Sequence, residues 1–172
     1  MPTGPTPPGH TPSGASRPAR RRHGLTCDMV SLPSAHLADI GELLDFVDAF
    51  CEQAAIGSQD QFDLRLAVEE VCANVMMHGY AQRAPGPLEV SFCADDEQAT
   101  ITISDRAAPF DPGHAPPPDL EASAEDRPIG GLGWHLVRRI VDELYYRYDP
   151  TYGNIVTLVK RLTPGGDSSS DK

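Results

Sequence analysis

Apolar and polar positions alternate along this chain with two different periods, and the switches between them mark out the elements. Residues 25–32 read as a first strand. From Ser34, a residue able to cap a helix, residues to about 55 repeat at helical spacing. Leu37, Ile40, Leu44, Val47 and Phe50 or Cys51 share one face there. Ile56-Gly57 ends that helix, and Ser58 with Gln61 three residues on resembles a capping box that opens the next. The second helix carries Leu64, Ala67, Val68, Val71, Cys72 and Val75 as its apolar stripe. Gly79 is placed to stop it, with His78 in its last turn. Residues 88–94 and 99–104 alternate around Asp95-Asp96-Glu97-Gln98, the pattern of an antiparallel hairpin. Residues 105–128 are acidic, rich in Pro and without periodicity, which predicts a functional loop, often a lid. Gly130-Gly131-Leu132-Gly133 leads into a helix over 134–143 with Leu136, Val137, Ile140 and Val141 inward. Strands at 144–148 and 155–162 follow, joined by a turn at 150–154. The sum is an α+β two-layer sandwich: a mixed, mostly antiparallel sheet with helices on one face.

Within the second helix, residues 66–80 carry a carboxylate and an amide that do nothing for folding. Glu70 and Asn74 lie one turn apart and face the same way. Asn is a poor helix-interior residue because its side chain competes for backbone hydrogen bonds. At the edge of a buried stripe it needs a partner, and a hydrated metal ion is one. A carboxylate beside such an ion could orient or deprotonate a nucleophile. Taken alone, the segment fits equally well with a solvated Glu70 and an incidental Asn74.

Composition narrows the setting. The first 24 residues are rich in Pro, Gly, Ser and Thr, hold no large apolar side chain beyond the initial Met, and are expected to be disordered. There is no signal-peptide h-region and no membrane-length apolar run, so a soluble, cytoplasmic protein with no membrane partner is expected. The formal charge is −11, but Arg17, Arg20, Arg21 and Arg22 all lie in the tail; without those four the remainder stands at −15. An acidic globular part argues against direct nucleic-acid binding. Cys27, Cys51, Cys72 and Cys93 are scattered and are expected to be small core residues in a reducing compartment, not a zinc site or a disulfide framework. The organisation expected is a tail over 1–24, one domain over 25–162 and a polar tail over 163–172.

Two later segments offer complementary chemistry. Asp105 sits where a strand ends, in Asp-Arg-Ala-Ala-Pro-Phe-Asp-Pro, and a carboxylate there can accept a hydrogen bond from an exocyclic amine such as that of adenine. Taken in isolation, an ordinary Asp-initiated turn explains it better. Gly130, Gly131 and Gly133 precede a helix N-terminus, where unpaired N–H groups and the helix dipole suit a phosphate. There is no P-loop motif.

In this order and spacing the three segments resemble the ATP-binding domain of the GHKL superfamily, which includes gyrase, Hsp90 chaperones, histidine kinases and MutL. Within it the chain looks most like the anti-sigma-factor serine/threonine kinases of the RsbW and SpoIIAB type. The matching residues are Glu70, Asn74, His78, Gly79 and Tyr80 as E-x-x-x-N-x-x-x-H-G-Y, then D-x-x-x-P-F-D-P from Asp105 to Pro112, with Phe110 as its aromatic, then Gly130, Gly131, Leu132 and Gly133. Tyr146 and Gly153-Asn154 fit the closing hairpin of that group.

The resemblance implies ATP and Mg²⁺ as cofactors. Asn74 would hold Mg²⁺. Glu70 would be the general base on a Ser or Thr hydroxyl of a partner, or would position it. Asp105 would bind adenine, with Gly131 and Gly133 lining the phosphate site. His78, Gly79, Ala107, Phe110, Gly130 and Leu132 complete the expected nucleotide-binding set. The implied partners are a STAS-type antagonist and a sigma factor or similar regulator, and such domains often pair as homodimers. One departure stands out: Ala107 occupies a position that is usually Gly in the adenine box. If that position needs φ > 0, Ala costs about 1 kcal/mol; if it serves close approach, the methyl weakens ATP binding. A non-catalytic partner-binding regulator on the same fold is the alternative, and a sensor histidine kinase is a weaker third, because no helix bears a phosphoacceptor His.

Overall fold

In the computed structural model, which describes residues 24–81, 83–111 and 131–164, three helices cover one face of a five-stranded sheet. The strands are β1 (Thr26–Leu32), β2 (Leu88–Ala94), β3 (Gln98–Asp105), β4 (Glu143–Asp149) and β5 (Gly153–Arg161). The helices are α1 (Ile40–Gln53), α2 (Ser58–Asn74) and α3 (Gly131–Ile140). The sheet order is β1-β2-β3-β5-β4, and every neighbouring pair is antiparallel, so the parallel pair that a mixed sheet requires is absent among the described residues. Segments 1–23, 112–130 and 165–172 lie outside the described residues. With them go the two tails, most of the 105–128 loop expected as a lid, and Gly130.

Strand alternation builds the core. Leu88, Val90, Phe92 and Ala94 of β2 and Ala99, Ile101 and Ile103 of β3 point to the helix side and are buried. Val156 and Leu158 of β5 do the same. Phe92 sits under α1, with its ring 5.1 Å from Phe50 and 5.7 Å edge-on from Phe46. Leu43, Leu44, Val47, Phe50 and Cys51 of α1 meet Leu64, Ala67, Val68, Val71 and Cys72 of α2 in the same layer.

Several expected boundaries shift for local reasons. Ser34 does not cap α1. A 3-10 turn over Leu37–Asp39 comes first, fixed by the Asp39 carboxylate accepting from the His36 N–H at 2.8 Å, and Leu37 is left exposed while Leu43 takes the core position. Ser58 is already helical and gives α2 no side-chain cap; Gln61 donates instead to Asp48 on α1 at 2.9 Å. α3 starts at Gly131 and ends at Ile140, three residues ahead of the expected helix at each end, because Asp142 and Glu143 enter the sheet beside Val159.

The expected set of four reduced cysteines is corrected. Cys51 and Cys72 are free and buried, as expected of core residues, and burial pushes the Cys51 thiol up to about 12. Cys27 and Cys93 form a disulfide. They are directly opposed in the β1–β2 register on the face turned away from the helices, where period-two alternation keeps them out of the core.

Away from the helix-to-sheet core, Asp60 at the start of α2 is buried and accepts from the Thr163 N–H (2.7 Å) and hydroxyl (3.2 Å). Lys160 joins this corner through Asp63 at 2.8 Å and the Ile140 carbonyl at 3.0 Å. These bonds fasten the ends of β5 and α3 to the opening of α2.

The disulfide closes a long loop onto an edge strand, so its loss should cost about 2–4 kcal/mol. Denaturant unfolding is expected to show that drop on adding reductant to the wild type, and no response to reductant in Cys27→Ser.

Candidate functional site

The site begins where α2 ends. Asn74 Nδ2 donates to the Glu70 backbone carbonyl at 2.6 Å, so the donor end of the amide is tied down and Oδ1 is its acceptor end. Glu70 is half-buried, and that burial, followed by the charge of Glu69, raises its carboxyl above the ordinary range. The helix then continues as a π turn over Val75–Gly79, closed by the Tyr80 N–H donating to the Val75 carbonyl at 3.0 Å. Such wide turns put an extra residue into a helix and recur at functional sites.

Gly133, in the first turn of α3, explains how the second box reaches the first. It is buried, and a Cβ there would collide with Glu70 Oε2 and lie 3.3 Å from Asn74 Nδ2. The absence of a side chain lets the opening of α3 rest on the carboxylate. Gly131 is the first residue of the same helix. Among the described residues the first-turn N–H groups of α3 have no intrahelical partners, and they carry the positive end of its dipole beside Glu70 and Asn74.

The third box closes the site from the sheet. Asp105 ends β3 on the core-facing side and is directly opposed to Asn154 of β5. Both are buried. Asp105 Oδ1 accepts from Asn154 Nδ2 and from the Ala107 N–H, each at 2.8 Å. Burial raises the Asp105 carboxyl, and those two hydrogen bonds work against the rise. Gly153 makes the approach possible: its φ of +87° is left-handed, and a Cβ there would strike the Asp105 carbonyl. Tyr80 braces the same loop, accepting from the Arg106 N–H and donating to the Pro87 carbonyl, both at 2.8 Å.

Ala107 has no strained backbone, since Ala55 is the one non-glycine residue with positive φ among the described residues. Its methyl is buried against Gly79, where an added Cβ would come within 2.8 Å of it. The two small residues fit each other. Phe110 is half-exposed, with its ring 6.0 Å from that of buried Trp134 in α3. His78 is exposed on the π turn.

Thus Glu70, Asn74 and Gly133 form one cluster, and Asp105, Ala107 and Gly79 a second beside the end of α2. The resemblance assigns Asn154 and Tyr146 to the closing hairpin and gives neither a role at Asp105. The signal was present in β5: alternation places Asn154 on the core side with Val156 and Leu158, and a buried amide there needs partners.

The donor set suits a hard cation held mostly by its ligand. Among the described residues no three His, Cys, Asp or Glu side chains gather around one point, so the protein offers Asn74 Oδ1 rather than a cage. Mg²⁺ commonly binds this way, keeping water and phosphate oxygens as its other ligands. No helix among the described residues is long and apolar enough to cross a membrane.

The chain is 26% identical over 117 residues to an anti-sigma F factor of Pasteuria penetrans, covering 67% of this chain and 78% of that protein. It is 27% identical over 104 residues to the serine/threonine-protein kinase BtrW of Bordetella bronchiseptica, covering 60% and 72%. A solved structure of the RsbU and RsbW domains of a Mycobacterium tuberculosis protein superposes with a TM-score of 0.55 at 17% identity, over 78% of this chain and 32% of that one, and shares the fold. The family described as histidine kinase-like ATPase domain matches residues 34–160. That match runs from before α1 almost to the end of β5 and takes in every residue of both clusters, and on it the chain belongs to the histidine kinase-like ATPase domain family.

Proposed function

We propose that the protein is an ATP-dependent serine/threonine kinase of the anti-sigma-factor type, which phosphorylates a STAS-type antagonist and sequesters a sigma factor or similar regulator. The observation that carries this reading is the seating of Gly133 on Glu70 and Asn74, which puts a helix N-terminus, a carboxylate and a metal-competent amide at one point. The names of two relatives, an anti-sigma F factor and a serine/threonine-protein kinase, support the same class.

The residues divide the work simply. Asp105 accepts from the exocyclic amine of the base. Backbone N–H groups at the start of α3 donate to phosphate oxygens. Asn74 Oδ1 would ligate Mg²⁺, which when bound neutralises charge on the transferring phosphoryl group. Glu70 orients the Ser or Thr hydroxyl of the partner and takes its proton, and its raised carboxyl is a better base than an exposed one. Phosphoryl transfer asks mainly for positioning and charge neutralisation, which this set supplies.

The second reading, a partner-binding regulator with little or no turnover, draws on Ala107. Its methyl fills space beside Gly79 that a glycine would leave open to a base. Saturable Mg-ATP binding with no transfer to any STAS-type protein would favour it.

Incubation with labelled ATP and candidate STAS-type antagonists tests the kinase directly. Glu70→Gln is expected to lower transfer by about 10²–10⁴-fold while ATP affinity stays within about threefold; transfer at the wild-type rate would remove Glu70 from its role. The base must be ionised to act, so transfer should fall as pH drops through the Glu70 pKa, with the acid limb above the ordinary carboxylate range. A pH profile of single-turnover rates reads this. Asn74→Ala should weaken Mg-ATP binding at least about tenfold and abolish the difference between binding with Mg²⁺ and with a chelator, as followed by the fluorescence of Trp134, the single tryptophan.

A further inference from the structure

The Asn154 side chain spends its whole hydrogen-bonding capacity on the residues around Asp105. Its Nδ2 donates to Asp105 Oδ1 at 2.8 Å and lies 3.3 and 3.2 Å from the carbonyls of Ala107 and Ala108. Its Oδ1 accepts from the Tyr146 hydroxyl at 2.9 Å and from the Phe110 N–H at 3.4 Å. The Phe110 N–H also reaches the Tyr146 hydroxyl at 3.1 Å. One buried amide therefore joins the end of β3, three residues of the following loop and β4.

Two consequences follow for Asp105. Both of the hydrogen bonds it accepts from Asn154 and Ala107 end on Oδ1, so its rotamer is fixed and, among the described residues, Oδ2 is the oxygen left for a ligand. The neighbour is neutral and presents a donor, so the carboxylate stays an acceptor although it is buried. A buried acceptor-only group welcomes an amine and rejects a carbonyl oxygen, which would face it lone pair to lone pair.

Resting on the ATP-site reading above, we propose that Asn154 is a positioning residue that holds Asp105 as a single-rotamer acceptor and thereby sets a preference for 6-amino over 6-oxo purine nucleotides. Asn154 does not touch the base. It acts through Asp105 and through the 106–110 loop.

The groups facing Asp105 leave its neighbourhood constant near neutrality. They are Cys72 of α2, Tyr80 beyond the π turn and Tyr146 of β4, each with its pKa raised chiefly by burial. Arg106 beside it donates to the Thr151 carbonyl. Asn154→Asp would set a second carboxyl against Asp105, and such a pair shares one proton. On acidification the introduced carboxyl gains that proton and donates to Asp105 Oδ1 as the amide did. At alkaline pH the two charges repel and the loop loses its hub.

The test is binding of ATP and ITP to the full chain, by calorimetry or Trp134 fluorescence, between pH 6 and 8.5. Wild type should favour ATP over ITP at least about tenfold, with affinity that does not improve towards acid. Asn154→Asp should bind ATP poorly at pH 8.5 and recover at least about tenfold by pH 6, a trend of opposite sign that a merely structural loss would not produce. Tyr146→Phe removes one bond to the amide without touching Asp105, and should lower the ATP-to-ITP ratio about threefold in a protein that stays folded. An Asn154→Asp protein equally weak at every pH, or a Tyr146→Phe ratio unchanged from wild type, would overturn the proposal. Wild type binding ATP while either variant fails these expectations defeats this inference alone; wild type binding no nucleotide defeats the ATP-site reading with it.

Discussion

The chemistry of this domain depends on how closely the first turn of α3 lies on the end of α2. Helices packed through ordinary side chains keep their axes about 8–10 Å apart, which would hold the α3 backbone away from Glu70 and Asn74. Gly133 removes that spacer, and the carboxylate of Glu70 occupies the room where its side chain would be. The two groups define each other's position. Glu70 is half-buried because α3 covers it, and its raised pKa comes first from that burial. The remaining contacts serve this one: Lys160, bonded to Asp63 and the Ile140 carbonyl, fastens the far end of α3 to the opening of α2.

A second close approach organises the sheet end. β5 is drawn onto β3 at the left-handed Gly153, which lets Asn154 meet Asp105 and lets one amide gather the loop that follows. Gly79 plays the corresponding part on the helix side by admitting the Ala107 methyl. Ala107, at a position that is usually Gly in the group the sequence resembles, keeps an unstrained backbone, and its methyl fills the space beside Gly79.

Much of this was legible in the sequence, and the limits have physical causes. The spacing of Glu70 and Asn74 on an apolar stripe predicted their common face, and the alternation in residues 88–104 predicted β2 and β3 within a residue. Helix starts were less legible, because several residues compete for one cap: Asp39 at the 3-10 turn outdid Ser34, and Gly57 preceded a Ser58 that was already helical. Strand faces decided the cysteines. Cys27 and Cys93 meet only because the β1–β2 register opposes them, and register is set by a partner strand more than sixty residues away in sequence. The role of Asn154 is likewise a product of pairing, invisible until Asp105 lies across from it.

The central claim is that Gly133 fixes the Glu70 carboxylate where the proposed transfer needs it, and Gly133→Ala tests it most directly. The added methyl collides with the far end of a flexible side chain, and Ala favours a helix over Gly by about 1 kcal/mol. The fold should survive while the carboxylate is pushed aside. The measurement is single-turnover transfer from labelled ATP to a STAS-type antagonist that the wild type phosphorylates, run beside thermal unfolding. The account predicts an unchanged or higher Tm with transfer reduced at least about 10²-fold; a stable Gly133→Ala protein that transfers phosphate at the wild-type rate would contradict it.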